Sequence, residues 1–318
     1  MHGYADTARS ANVYTDVRKG RVSDPAITSR VEDASALLGM RKEPKPNPHH
    51  PQHSSSCKRA ATILRYRSAM VLSFVIPAYN EESYLADCLD SILLQTRGLP
   101  HETEIIVVNN ASTDRTREVA LRYPQVRLVD EPRKGLTAAR QAGFLASSGA
   151  LVANVDADSR LTPGWVDRVL RAFAANPELA AFSGPLLYYD LLPHQRALVH
   201  IFYMTAWVTY VTNRHILRVG SMVQGGNFVV SRPALERIGG FNLAISFYGE
   251  DTDIARRLND VGDVLFTFDL KMFSSARRLK HEGMVTMAIR YSVNYFWTTF
   301  LKRPYTHEHI DIREVTGA

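Results

Sequence analysis

The chain has 318 residues, 45% hydrophobic and 22% charged, with 18 glycines and 15 prolines, proportions that exclude a fibrous or wholly disordered protein and leave enough apolar chain for one large core. Its net charge of +6 invites a nucleic-acid reading, yet residues 1–70 hold 12 Lys and Arg against 6 Asp and Glu, and the remainder balances at 26 against 26. The excess belongs to the leader, so no nucleic acid is expected as a partner of the rest.

Residues 1–69 form a basic leader, rich in Pro, Ser, His and Arg between Arg41 and Arg67 and without a helical or strand period, so it reads as disordered. His49, His50, His53 and Cys57 could bind a metal, although a solvated low-complexity tract has the same composition. There is no apolar core of a secretory signal, and Met70, directly ahead of the first strand, offers an alternative start. Cys57 and Cys88 are the only cysteines. Without CxxC spacing they argue against a disulfide framework or structural zinc and for a reducing compartment, the cytoplasm.

From residue 71 the pattern alternates. VLSFVIP (71–77) reads as a buried strand, and Leu85, Leu89, Ile92 and Leu93 then share one helical face. EIIVV (104–108) is a second strand, followed by a capped helix over 112–123. VRLVDE (126–131) is a third strand, 135–148 a helix, and LVANV (151–155) a fourth strand. Thr162 and Pro163 supply an N-cap and first-turn proline for a helix over 165–176. Continuous apolar strands alternating with helices predict a Rossmann-like α/β fold, its mostly parallel central sheet covered by helices on both faces and followed by C-terminal helices. In such sheets ligands bind beyond the carboxyl ends of the strands.

Each strand ends in polar residues: Tyr79, Asn80 and Glu81 after the first, Asn109 and Asn110 after the second, Asp156 and Asp158 after the fourth. Two carboxylates at i and i+2 past a strand end can approach one hard cation, Mn²⁺ or Mg²⁺. As a lone pair they equally fit a solvated turn. HEGMV and HEHID do not complete HExxH, and neither GxGxxG nor GxxxxGK[ST] is present, which disfavours zinc proteases, dinucleotide enzymes and P-loop enzymes.

Six segments in order, FVIPAYNEE, EIIVVNNASTD, RKGLTAARQAG, VANVDADS, GGNFVVSRPALERIGGF and GEDTDIARRL, resemble the family-2 glycosyltransferases of GT-A fold. The resemblance covers about residues 72–260, with a looser tail over 275–283. It implies a nucleotide-sugar site lined by Pro77, Ala78, Tyr79 and Glu81, with Tyr79 stacking on the base. Asn109 and Asn110 stand where many relatives carry an acidic residue that accepts the N3 proton of uracil; an amide can accept that proton or serve another base edge. UDP remains the favoured nucleotide. Asp114, Lys134 and Arg140 match further donor positions, with Arg140 suited to the diphosphate.

The resemblance makes Asp156, Ala157 and Asp158 the DxD segment, with Asp158 and Asp156 on the metal and His281 a third candidate ligand. Asp251 aligns with the general base and Glu250 is its neighbour in that role, so transfer should invert the anomeric carbon. Gly225, Gly226, Asn227, Arg277 and Arg278 are candidates for the acceptor or the diphosphate. The implied organisation is a GT-A domain over 70–282 followed by a helical segment over 283–318. Rival readings are a sugar-phosphate nucleotidyltransferase, which lacks its Gly-rich first loop here, and a catalytically silent nucleotide- or glycan-binding protein.

No run of about 20 apolar residues exists. The apolar helix at 197–212, flanked by His194, Arg196, Arg214 and Arg218, and a second over 284–303 could lie on the inner face of a membrane and receive a lipid-linked hydroxyl acceptor. Packing on the domain, or on a second subunit of an oligomer, would bury the same faces.

Overall fold

The computed structural model describes residues 72–99, 103–217, 221–245 and 247–301. The leader, its His and Cys cluster, Met70 and residues 302–318 lie outside the described residues.

The sheet is built from β1 (Leu72–Ala78), β2 (Thr103–Asn109), β3 (Val126–Asp130), β4 (Leu151–Val155), β6 (Leu179–Ser183), β8 (Asn227–Ser231) and β9 (Asp263–Phe266), in the order β3-β2-β1-β4-β8-β6-β9. The first four strands run parallel and β8 is antiparallel to both its neighbours. Three short strands, β5 (Ser159–Leu161), β7 (Leu186–Tyr188) and β10 (Met272–Ser274), form a second sheet in the order β5-β10-β7.

Alternation along β1 sends Leu72, Phe74 and Ile76 into one core and Val75 into another, as a strand period of two requires. The first core is closed by α1 (Leu85–Thr96), α2 (Thr116–Leu121) and α4 (Trp165–Ala175), the second by α3 (Leu136–Ala146), α6 (Arg232–Arg237) and α7 (Glu250–Asn259). The expected α/β sandwich with helices on both faces is therefore present. The remaining helices are α5 (Pro193–Val211), running into a π-helical turn over Thr212–Leu217, α8 (Arg277–Glu282) and α9 (Met284–Leu301), which packs on α7 and α8.

Two helix starts differ from expectation. The helix expected over 112–123 begins only at Thr116, after an Arg115 N-cap without a side-chain cap. Gly164, with φ of +74°, occupies the N-cap of α4, not Thr162. The Thr162 hydroxyl instead donates to Lys271 O at 2.6 Å, and the first N–H of the helix, from Trp165, donates to Gln95 Oε1 at 2.9 Å. A side chain of α1 thus satisfies the end group that a local cap would otherwise serve. Among the described residues, no helix is long and apolar enough to cross a membrane.

Candidate active site

The carboxyl ends of β1, β2 and β4, the turn before β8 and the first turns of α7 and α8 enclose a cavity of about 380 Å³. Of the expected residues, Pro77, Ala78, Tyr79, Asn110, Lys134, Arg140, Asp156, Asp158, Gly225, Glu250, Asp251, Arg277 and Arg278 line it. Segments more than 170 residues apart in sequence meet here because parallel strands all deliver their ends to one edge.

Tyr79 and Lys134 form one wall, the ammonium donating to the phenol oxygen at 2.9 Å and lying 4.2 Å from the ring centroid. Asn110 sits behind them. Its Nδ2 donates to the carbonyls of Glu131 and Arg133 at 3.0 and 2.8 Å, and its Oδ1 accepts the Gly135 N–H at 2.8 Å. The amide clips β2 to the loop entering α3, and only an amide can do both. Its neighbour Asn109 does not reach the cavity; it donates to Asp130 Oδ1 at 2.8 Å across the strand ends.

Arg140 is 1% exposed and bridges two carboxylates, Asp156 at 3.2 Å and Glu250 at 2.5 Å. The expected free guanidinium for a diphosphate is therefore engaged: burial leaves it no room to leave its partners, and it joins the end of β4 to the start of α7. Arg277, its side chain 20% exposed, is the partly buried counterpart. It pairs with Asp158 at 3.1 Å, with buried Glu81, and lies 4.7 Å from the Tyr84 ring. Glu81 itself is 1% exposed, pairs with Arg277 and does not line the cavity.

Four other expectations are corrected. Asp114 lies outside the cavity: it accepts the Thr116 N–H, the first of α2, and the Glu82 N–H at 2.9 and 3.0 Å, joining the start of α2 to the loop after β1. Ala157 points into the core beside β4. Asn227 is fully buried and saturated, accepting from Trp165 Nε1 and donating to Gly184 O and Leu270 O. His281 is exposed on α8 and does not join Asp156 and Asp158; no group of three or more His, Cys, Asp and Glu able to hold a metal exists among the described residues.

Gly225 and Gly226 thread between the two acidic pairs. A Cβ on Gly226 would lie 2.2 Å from Asp156 Oδ2, and φ there is +78°; one on Gly225 would lie 3.2 Å from Glu250 Oε1. Burial pushes Glu250 up to about 7, against the lowering pull of Arg140, and also raises Asp251, whose Oδ1 accepts the Thr252 N–H at 2.8 Å. Tyr188, Gln224, Tyr248 and Tyr291 also line the cavity. The sequence offered only a weak signal, and for Tyr188 alone, in the Tyr188-Tyr189 pair.

Residues 73–239 match the family described as Glycosyl transferase family 2. The chain belongs to that family. Among similar proteins, this family-2 chain is 32% identical over 103 residues to the uncharacterized glycosyltransferase EpsJ of Bacillus subtilis, covering 31% of this chain and 29% of that protein. It is 34% identical over 149 residues to a dolichyl-phosphate beta-glucosyltransferase of Trichomonas vaginalis, covering 42% and 46%. The matches thus span less than half the length of these relatives.

Two solved structures share its fold. The mannosyltransferase PcManGT from Pyrobaculum calidifontis, in complex with GDP-Man and Mn²⁺, superposes with a TM-score of 0.55 at 19% identity, over 78% of this chain and 73% of that one. The glucosyl-3-phosphoglycerate synthase of Mycobacterium tuberculosis, with Mn²⁺, UDP and phosphoglyceric acid, gives 0.53 at 18% identity, over 79% and 84%. The fold is GT-A.

Proposed function

We propose that the chain transfers a sugar from a nucleoside-diphosphate sugar, UDP-sugar favoured, to a hydroxyl acceptor, with inversion at the anomeric carbon. The observation that carries this reading is the meeting, in one cavity, of the β4 carboxylates Asp156 and Asp158 with Asp251 at the start of α7. Nucleotide-sugar use is supported by the GDP-Man and UDP held by the two neighbours of the same fold.

The donor set suits a divalent cation. Asp156 and Asp158 are oxygen ligands on one wall, each paired through one oxygen with a guanidinium, so a cation would share the pair with Arg140 and Arg277. The missing Cβ of Gly226 leaves Asp156 its space. Two carboxylates plus phosphate oxygens and water are the usual ligands of Mg²⁺ or Mn²⁺. When bound, the ion would neutralise charge on the departing diphosphate.

Each of the chain's own groups then has a task. Tyr79 offers its ring face to the base. Lys134, Arg277 and Arg278 line the cavity as cations for the diphosphate, the part first expected of Arg140. Asp251 takes the proton from the acceptor hydroxyl as that oxygen bonds to the anomeric carbon and the bond to the diphosphate breaks. Burial raises its basicity, which helps. Glu250, paired with Arg140, holds the helix start in place.

A thermal-shift panel of UDP, GDP, CDP and dTDP with and without Mn²⁺ tests the donor side. UDP at 100 times its Kd should add about 2.7 kcal/mol, and only with the ion present; no metal-dependent stabilisation by any diphosphate would sink the donor reading. Asp158→Asn should weaken that shift. Asp251→Asn should keep it and abolish sugar transfer, and full transfer by that variant would remove the base assignment.

A further inference from the structure

The cavity at Asp251 does not close there. A second cavity of about 610 Å³ continues from it between α5 and α9, and the two share Tyr188, Gln224, Gly249, Asp251, Leu279 and Tyr291. The walls change in kind along the way. Leu198, Phe202 and Ala206 face it from α5, and Met284, Ala288 and Ile289 from α9. Among the described residues that line it, Asp251 carries the only charge. Past the groove the same two helices go on exposing apolar side chains, Met204 and Val208 on α5, Phe300 and Leu301 on α9.

A groove that is mostly apolar, broken by uncharged side chains such as Thr205, Thr209, Ser292 and Asn294, and that ends on one carboxylate selects an amphiphile. An apolar protein segment or a second helix filling it would strip water from Asp251 without giving it a partner, a costly burial. A molecule with a hydroxylated head and a long alkyl chain satisfies both ends. A volume of this size is in the range of pockets that enclose most of a small ligand.

We infer that the groove between α5 and α9 holds the alkyl chain of the acceptor, whose hydroxyl-bearing head lies at Asp251, so that the acceptor class is a long-chain amphiphile. The inference rests on the reading of Asp251 as general base and names the substrate class for it.

The probes are 1-hexanol, 1-octanol and 1-decanol as monomers, titrated calorimetrically into the full chain. Affinity should rise about fourfold per methylene, the factor that burying one methylene supplies, with a negative heat-capacity change. Decanoate should bind more weakly than decanol at neutral pH, because its charge meets that of Asp251. Ala288→Trp fills the groove from α9 and Thr205→Trp from α5; each should remove the gain with chain length while the Mn²⁺-dependent UDP shift stays at the wild-type value, which also reports that the variant is folded.

Affinities independent of chain length, or a gain that survives both Trp variants, overturn the inference. So does a wild-type dimer that Ala288→Trp dissociates with alkanol affinities unchanged, since the groove is then a subunit interface. The two readings fail separately: alkanol binding as expected with full transfer by Asp251→Asn removes the base and keeps the groove, and the opposite pair of results removes the groove and keeps the base.

Discussion

Asn110 is decided by its hydrogen bonds more than by any base it might read. Both amide protons go to backbone carbonyls and its oxygen accepts from Gly135. Asn110→Asp would set two carbonyls against a carboxylate, and we expect a loss of about 3 kcal/mol in urea denaturation, with a weaker UDP shift as the loop into α3 moves. Glu250 gives a pH signature. Its carboxyl is raised from 4.5 to about 7 in the folded chain, so the stability its protonated form contributes is complete below about pH 4.5 and lost as pH rises through 7. Glu250→Gln, which cannot ionise, should lack that decline: the wild-type Tm minus the variant Tm should fall between pH 5 and 8, and a constant difference would refute the assignment.

At the scale of elements, the turn ahead of β8 matters as much as the helices it separates. Gly226 has a left-handed φ and no room for a Cβ beside Asp156, so Gly226→Ala should cost about 1–3 kcal/mol and shrink the Mn²⁺-dependent UDP shift by displacing that carboxylate. The opposite case follows β2. Ala111 holds φ of +60° on an exposed turn, a conformation that burdens any residue with a Cβ. Ala111→Gly should therefore stabilise the chain by about 1 kcal/mol, read from the denaturation midpoint at unchanged m.

At the scale of the whole molecule, α9 lines the cavity with Met287 and Tyr291 and is tied to it further through one carboxylate. Glu282, its side chain 1% exposed, pairs with Arg278 at 2.9 Å and with Arg290, and the Tyr248 hydroxyl lies 3.4 Å from it. Arg278 and Tyr248 line the cavity, whereas Arg290 belongs to α9. Removing a buried partner strands the charges it paired, a loss of about 3–5 kcal/mol. Glu282→Ala should speed hydrogen exchange across 284–301 while leaving β1, β2 and β4 protected; uniform exchange across both regions would mean that α9 is not held separately.

Apolar periodicity was enough to place the parallel strands and their covering helices, because burial on both faces leaves a strand no freedom in which residues are apolar. The ordered motifs likewise located Tyr79, Asp156, Asp158 and Asp251, since strand and helix ends converge on one edge whatever the details. What the sequence left open was which polar side chains face the cavity and which face each other. Glu81, Asp114 and Asn227 sit in polar, motif-like stretches, yet each is consumed by partners distant along the chain. Local pattern reports that a residue is polar. Only packing decides whether that polarity meets a ligand or a neighbouring side chain, because the pairing depends on elements brought together from far along the chain.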